Sequence, residues 1–208
     1  MYFMDAITYP ENGSLIRFFH TVENAPAIDI YINNELLFQN LCYRQFSGYT
    51  QIASGKYIIQ IFAANTKKPA LLCASVTLPK DELYTLVISG SIDDLQLLIL
   101  ADSNHVPLKK DTCNIRVVAL APKAGHLNVS LDKSIFVKEL DFCEMTPYAQ
   151  VPANTYIFRT NSSITNTELA SFRLATKEGQ TNTIYIMGDH SEITALQSID
   201  GSSYVSNS

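Results

Sequence analysis

The sequence predicts an all-β protein that consists of two β-sandwich domains in tandem, and three observations support this prediction. Residues 16–60 recur as residues 115–159 at a constant offset of 99 (115 − 16 = 99), which indicates an internal duplication. Apolar and polar residues alternate with period two in each copy, whereas an amphipathic helix requires a period of about 3.6 residues. Turn residues interrupt these alternations at intervals of about 8–12 residues, as is typical of sandwiches.

The duplication also predicts the domain boundaries. Residues 1–14 form a polar lead-in, residues 15–108 the first domain and residues 109–208 the second, which begins with a short charged joint at 109–112. A chain of 208 residues with 47% hydrophobic and 17% charged residues is sufficient for two cores of common domain size. Equivalent positions keep their residue types, since Leu41, Tyr49, Gln51 and Tyr57 recur as Leu140, Tyr148, Gln150 and Tyr156.

The predicted strands follow one another in the same order in both copies. The first strands begin at Ile16 and Ile115. Asn33-Asn34 and Asp132-Lys133 then supply the turn residues of a hairpin. In the first copy the later strands are expected at 28–33, 36–38, 57–62, 71–78, 84–89 and 95–100. In the second copy they are expected at 127–132, 135–137, 156–159, 170–174, 183–187 and 193–197.

One turn predicts the kind of sandwich. Gly55 is equivalent to Asn154, and both residue types tolerate positive φ, so a tight turn with a left-handed residue is expected at each position. Tyr57 and Tyr156 follow two residues later. This spacing resembles the tyrosine corner of immunoglobulin-like sandwiches, in which the ring packs and the hydroxyl donates to upstream backbone. The predicted fold is therefore two tandem immunoglobulin-like β-sandwiches.

The first copy also resembles a known family. The resemblance begins with IRFFH at 16–20 and APAIDIYIN at 25–33, which are similar to the opening VRVVHASPDAPAVDVYVNG of the domain-of-unknown-function family 4397. It continues with IASGKY at 52–57 and LYTLVISG at 83–90, which are similar to two later motifs of that family.

The second copy keeps part of this pattern. It retains IRVV at 115–118 and TIYIMG at 183–188, but ALAP at 119–122 replaces the family's His-Ala-Ser-Pro. The terminal DGSSYV at 200–205 is similar to the end of tandem bacterial members. The resemblance implies immunoglobulin-like sandwiches, often in tandem and often in exported or surface proteins of bacteria. It implies no catalytic residues.

Composition excludes several partners and cofactors. The net charge of −5 leaves no basic face for nucleic acid, and no segment reaches the roughly 20 apolar residues that span a bilayer. The four cysteines form no C-x-x-C pair and the four histidines have no ligand spacing, so neither a metal nor another cofactor is expected. Residues 1–5 contain no Lys or Arg, so a secretory signal is not predicted. The expected location is intracellular or spore-associated, unless a leader has been removed.

The sequence predicts no enzyme. His20 and Asp29 could form a catalytic pair with Ser47 or Ser54, but His20 becomes Ala119 in the second copy and Asp29 becomes Asn128. We therefore expect His20 to end the first strand and to form local hydrogen bonds. Acidic residues Asp93, Asp94 and Asp102 do not match a calcium loop and are expected in solvated turns.

Tyrosine is the one abundant residue type that could bind a ligand, with 11 copies and no Trp. In strands it usually has a packing role. The alternative is a weak aromatic platform formed by Tyr31, Tyr43, Tyr49 and Tyr148.

The functional hypothesis is a non-catalytic structural or interaction protein of a bacterial surface or spore-associated assembly. The alternative is a soluble glycan or small-ligand binding protein that uses the inter-domain cleft. Either a protein or a glycan partner is compatible with the sequence.

Overall fold

The structure, a computed structural model, describes residues 11–102, 107–189 and 192–204. Residues 1–10 of the predicted lead-in and Val205 of the terminal motif lie outside the described residues. The chain divides into two compact units. Unit 1 contains the described residues 11–102, and unit 2 contains those from 107 to 204.

Unit 1 is a sandwich of two four-stranded sheets within the part of the chain that the structure describes. One sheet has the strand order β4-β1-β7-β8 and the other has the order β3-β2-β5-β6. The pairing is antiparallel except between β1 and β7, which are parallel. The strands are β1 (Gly13–His20), β2 (Ile28–Ile32), β3 (Glu35–Leu41), β4 (Thr50–Ala53), β5 (Gly55–Ala63), β6 (Leu72–Leu78), β7 (Leu83–Ser91) and β8 (Asp94–Ala101).

Unit 2 repeats this topology. Its sheets have the orders β12-β9-β15-β16 and β11-β10-β13-β14, and β9 and β15 form the parallel pair. A short 3₁₀ helix, Gly201–Ser203, follows the last strand. The strands are β9 (Thr112–Ala119), β10 (Leu127–Leu131), β11 (Ser134–Leu140), β12 (Ala149–Pro152), β13 (Thr155–Ser162), β14 (Glu168–Ala175), β15 (Thr181–Asp189) and β16 (Glu192–Ile199). The prediction of two tandem immunoglobulin-like sandwiches is confirmed.

Each core lies between the two sheets of its own unit. In unit 1, Phe18 and Leu86 of one sheet pack with Ile30 and Ile59 of the other. In unit 2, Val117 and Val129 occupy the same positions as Phe18 and Ile30. The period-two alternation is therefore explained by strands that place one face in a shared core.

Two short edge strands, β4 and β12, were not predicted from the sequence. Each has only four residues, and a half-exposed sequence such as Thr-Gln-Ile-Ala gives little periodic signal. Their pairing partners, β1 and β9, lie about 40 residues earlier in the chain. A strand this short is recognised only from its neighbour.

The prediction of a left-handed residue at Gly55 and at Asn154 is wrong, because neither residue has a positive φ. The chain does not reverse at these points. β4 belongs to one sheet and β5 to the other, with Ser54 alone between them. An extended crossing from sheet to sheet requires no left-handed residue. Positive φ instead occurs in the hairpin turn at Asn33 and Asn34.

The two corner tyrosines donate to upstream backbone. The Tyr57 hydroxyl lies 2.7 Å from Ala53 O, and the Tyr156 hydroxyl lies 2.5 Å from Pro152 O. Each bond spans the crossing between the two sheets, since the acceptor belongs to β4 or β12 and the tyrosine to β5 or β13. The geometry ties one sheet to the other at an edge of each sandwich.

Replacing Tyr57 with Phe is expected to lower the free energy of unfolding by about 1–1.5 kcal/mol, because one hydrogen bond is lost and little packing changes. Tyr156→Phe is the matched variant in unit 2. Chemical denaturation of both variants measures the effect. A Tyr57→Phe variant that melts at the wild-type temperature would contradict the structural role of this bond.

Candidate functional site

Four polar residues form a cluster on the face of the β1–β7 pair opposite the core of unit 1, and we call it the Arg17 cluster. Arg17 of β1 donates through Nε to Thr85 Oγ1 at 2.7 Å, and the Thr85 hydroxyl donates to Asp102 Oδ2. The Tyr49 hydroxyl donates to the same oxygen at 2.8 Å. Arg17 Nη2 lies 3.8 Å from Asp102 Oδ2, and the guanidinium carbon lies 4.8 Å from the centre of the Tyr49 ring. Asp102 is fully buried.

The same cluster is present in unit 2, where we call it the Arg116 cluster. Thr183 and Tyr148 donate to Asp200 Oδ2 at 2.6 and 2.7 Å. Arg116 donates to Thr183 Oγ1, lies 4.0 Å from Asp200 Oδ2, and stacks 4.4 Å from the centre of the Tyr148 ring. The residues correspond one to one with those of unit 1.

These clusters hold the fold together. Each connects the end of the last strand of its unit to the parallel pair and to the segment before the short edge strand. Charges this deeply buried persist in a fold only when paired and hydrogen-bonded. The expectation of a solvated turn at Asp102 is therefore wrong, because its partners come from positions 17, 49 and 85. The sequence signal that could have revealed the clusters is the retention of Arg, Tyr, Thr and Asp in both copies.

The three tyrosines of the predicted platform that belong to unit 1 have different surroundings, and Tyr148 belongs to unit 2. Tyr49 and Tyr148 belong to the Arg17 and Arg116 clusters, in different units. Tyr43 is half-buried beside His20, with ring centres 6.4 Å apart. Tyr31 lies on the other sheet of unit 1, in β2.

Tyr31 does line a pocket, on the outward face of the β2–β5 sheet. The pocket has a volume of about 310 Å³ and is lined by Tyr31, Asn34, Gln60, Phe62, Lys67 and Lys68. We call it the Tyr31 pocket. Tyr31 and Phe62 pack edge to face with ring centres 5.3 Å apart. Gln60 pairs with Tyr31 across the two strands, so strand register fixes the amide beside the ring.

Unit 2 has a different surface at the same place. By strand register Tyr31, Gln60 and Phe62 correspond to Ser130, Arg159 and Asn161. Arg159 forms an ion pair with Glu168 at 3.4 Å and donates to Asp132 O at 3.0 Å. The aromatic pocket is therefore a feature of unit 1, whereas its counterpart in unit 2 is polar and internally paired.

The suspected catalytic residues have separate local partners. His20 ends β1, where Nδ1 accepts from Val22 N and Nε2 donates to Pro26 O. The Asp29 carboxylate accepts from the backbone amides of Asn40 and Asn65. Ser47 Oγ accepts from Phe18 N. The structure does not join these side chains in a hydrogen-bonded relay.

Burial lowers the pKa of His20 below 6.5. Its Nδ1 already accepts a backbone N–H, so protonation there would place two donors face to face. The unfolded chain gains this proton as the pH falls through about 6.5, while the folded chain resists it. The stability of unit 1 is therefore fully present above this pH and decreases below it.

We expect the wild-type protein to lose up to about 1.4 kcal/mol of unfolding free energy per pH unit below the ordinary His pKa. His20→Ala, which copies Ala119 of unit 2, is expected to remove this part of the pH dependence although it loses packing. Denaturation between pH 7.5 and 5.5 measures the difference. Parallel curves for both proteins would contradict the assignment.

The arrangement of the described residues supports neither a metal site nor a reactive thiol. Among the described residues, no group of three or more His, Cys, Asp or Glu side chains is placed to hold a metal ion. All four cysteines are free. Burial, with the nearby Asp141, raises the pKa of Cys143 to about 11, so its thiol stays protonated at neutral pH. No helix in the described part of the chain is long and apolar enough to cross a membrane.

Comparison with known proteins identifies one family. A family model described as a domain of unknown function, DUF4397, matches residues 14–130 and again residues 113–207. Among curated proteins, no sequence matches this chain.

Solved structures resemble the chain only distantly. One is a family 26 carbohydrate-binding module from Eubacterium rectale Amy13K in complex with maltoheptaose, with 10% identity, 90% of this chain and 95% of that chain covered, and a TM-score of 0.29. Another comes from a study of α-glucan binding by a streptococcal virulence factor, with 13% identity, 94% and 100% coverage, and a TM-score of 0.29. A third is a putative adhesin from Bacteroides ovatus, with 8% identity, 92% and 95% coverage, and a TM-score of 0.24. At these TM-scores the similarity carries no functional argument for this chain.

Proposed function

Because the chain belongs to DUF4397, a family described only as a domain of unknown function, we propose its function from the difference between its two copies. The protein is a non-catalytic binding protein, and the Tyr31 pocket of unit 1 recognises a saccharide ring. The single observation that supports this proposal is that one sheet face of unit 1 has a pocket beside Tyr31 and Phe62, each 8% exposed, whereas the same face of unit 2 is polar and internally paired.

The duplication separates residues needed for folding from residues available for binding. Whatever the fold requires is needed in both copies, as the Arg17 and Arg116 clusters and the corner tyrosines illustrate. Tyr31 and Phe62 lie outside the core cluster of unit 1, and unit 2 folds the same way with Ser130 and Asn161 at these positions. Their aromatic rings are therefore not a requirement of the topology.

The chemistry of the pocket fits a sugar ring. Small-ligand pockets combine apolar or aromatic walls with a few polar groups that fix orientation. Here the exposed parts of the Tyr31 and Phe62 rings form one wall, against which the C–H face of a sugar ring can pack. The side-chain amides of Asn34 and Gln60 offer both donors and acceptors, which is what hydroxyl groups require.

A non-catalytic role agrees with the state of the polar groups. His20, Asp29 and Asp102 each form hydrogen bonds within the fold, and all three are buried. The pocket itself contains amides, lysines and aromatic rings rather than a carboxylate or imidazole that could act as acid and base. Such side chains can bind a ligand through hydrogen bonds, charge and ring packing.

A saccharide array tests the proposal. The wild-type chain is expected to bind at least one saccharide on an array that includes bacterial cell-surface polysaccharides. The variant Tyr31→Ser, Gln60→Arg, Phe62→Asn gives unit 1 the residues that unit 2 carries at these positions, and we expect it to bind about tenfold more weakly or worse. Circular dichroism and thermal melting establish that the variant is folded.

The matched control is in unit 2. Ser130→Ala with Asn161→Ala is expected to leave binding unchanged. If the triple variant does not fold, Gln60→Ala with Asn34→Gly is the second test, since Gly keeps the positive φ of Asn34. A wild-type chain that binds no saccharide, or pocket variants that bind as the wild type does, would show the proposal to be wrong.

A further inference from the structure

We infer that the Tyr31 pocket, in the binding role proposed above, selects a sugar ring that carries a carboxylate, and that Lys67 and Lys68 confer this selectivity. The inference rests on the proposed function and names its ligand class. It comes from the position of two cations beside the aromatic walls.

The two lysines lie at the rim of the pocket, on the loop between β5 and β6. Lys67 Nζ lies 5.6 Å from the centre of the Tyr31 ring. The base of the loop is fixed, because Asn65 N donates to Asp29 Oδ2 at 2.9 Å and the Thr66 hydroxyl donates to Ala63 O at 2.7 Å. These bonds fix the loop that carries both lysines, and the Lys67 ammonium lies near the Tyr31 ring.

Within the described part of the chain, these lysines form no ion pair. Among the described residues, no carboxylate lies within ion-pair distance of Lys67 or Lys68. The carboxylate of the same sheet face, Asp29, accepts hydrogen bonds from two backbone amides. Two exposed positive charges therefore remain available at one pocket of a chain whose net charge is −5.

The other unit again provides the contrast. Its corresponding loop carries Ser163, Ile164 and Thr165, and Ile164 is 84% exposed. The cation on the adjacent face, Arg159, is already paired with Glu168. Unit 1 thus places two lysines in this loop, whereas the loop of unit 2 at 163–167 carries none, and Lys133 of unit 2 lies in the hairpin turn at the position of Asn34.

The size and polar groups of the pocket favour a sugar over an acidic peptide. A volume of about 310 Å³ lies at the lower end of ligand pockets, which is suited to one or two rings rather than to an extended chain. Asn34 and Gln60 can bind ring hydroxyls while the lysines bind the carboxylate. A carboxylated sugar uses every lining side chain.

Binding calorimetry with matched oligosaccharides tests the inference. The probes are two-residue oligomers of galacturonate and of glucuronate, each compared with its methyl ester, which keeps the rings but removes the charge. At low salt we expect one acid to bind about tenfold more tightly than its ester, the difference that two exposed charge contacts provide. Raising the salt to about 0.5 M should reduce this preference, because exposed charges are then screened.

Two lysine variants locate the effect. Lys67→Gln with Lys68→Gln is expected to abolish the preference for the acid. Lys109→Gln with Lys110→Gln, an exposed pair in unit 2, changes the net charge equally and is expected to keep it. A preference that survives the first variant, or disappears in the second, would overturn the assignment to this pocket.

The remaining outcomes separate this inference from the proposed function. Equal affinity for acid and ester overturns the inference and leaves saccharide binding intact. Failure of all four oligosaccharides also overturns it, and the array result then decides the proposed function by itself. A hexaglutamate peptide provides the last comparison. If it binds as tightly as the better acid, and if Lys67→Gln with Lys68→Gln weakens its binding equally, the pocket recognises only negative charge and the sugar assignment is wrong.

Discussion

Replacing Asp102 with Asn is expected to lower the free energy of unfolding by about 3–5 kcal/mol, the effect of removing one partner from a buried ion pair. The variant leaves Arg17, which is 7% exposed, with its positive charge and without its counter-ion. It also disturbs the two hydroxyl donors that converge on Asp102 Oδ2, from Tyr49 and Thr85. Stacking of Arg17 on aromatic rings cannot replace a buried negative charge.

Hydrogen exchange measured by mass spectrometry can assign this loss to a unit. Asp102→Asn should raise exchange in the strands of unit 1, and Asp200→Asn should do so in unit 2. The exposed pair Lys80–Asp81 provides a control, since the two charges lie 3.4 Å apart with side chains 62% exposed. Asp81→Asn is expected to change stability by about 1 kcal/mol or less. An Asp102→Asn variant as stable as Asp81→Asn would refute the structural role of the cluster.

Replacing Gly90 or Gly188 with Ala is expected to lower the free energy of unfolding by roughly 3 kcal/mol, through backbone strain and steric overlap together. Gly90 has a φ of +101° and Gly188 a φ of +121°. A Cβ at Gly90 would collide with the backbone oxygen of Asp94, and one at Gly188 with that of Glu192. Both oxygens belong to the facing strand of a hairpin, so they cannot move without opening the strand pair.

Two further glycines separate the causes of this loss. Gly125 has a φ of +67°, and no atom lies within 4 Å of the position that a Cβ would occupy, so Gly125→Ala should cost about 1–2 kcal/mol from conformation alone. Gly48 has open space and no positive φ, so Gly48→Ala should change stability by about 0.5 kcal/mol or less. Chemical denaturation of the four variants measures how much unfolding free energy each one loses. Equal effects at Gly90 and Gly125 would exclude the steric contribution.

The duplication explains why the fold could be predicted and the site only in part. A pattern that occurs twice is unlikely to arise by chance, and the alternation around Ile30 and Val129 reports the burial of one strand face in each copy. Tyr31 was also named from the sequence as a binding candidate, and it does line a pocket. The reasoning that named it was a platform of four tyrosines, but Tyr31 lies on the opposite sheet of unit 1 from the Arg17 cluster, which contains Tyr49.

Loop residues and buried charges escaped prediction for one physical reason. No sequence motif pointed to Lys67 or Lys68, because only the path of the β5–β6 loop places them beside Tyr31. Asp102 was expected in a solvated turn, because its hydrogen-bond partners lie 17 and 53 residues away in the chain and no local pattern reveals them. Local sequence carries information about backbone preference and burial period, not about which distant side chain a polar group meets.

The sequence by itself determined the all-β class, the tandem arrangement of two sandwiches and the face of each long strand that enters the core, because these follow from local alternation and repetition. Only the tertiary structure decided that β1 and β7 are parallel, that β4 and β12 exist, and that one repeated Arg, Tyr, Thr and Asp set is a buried cluster. These features arise from contacts between residues far apart in the chain, and such contacts form only once two sheets close over a common core.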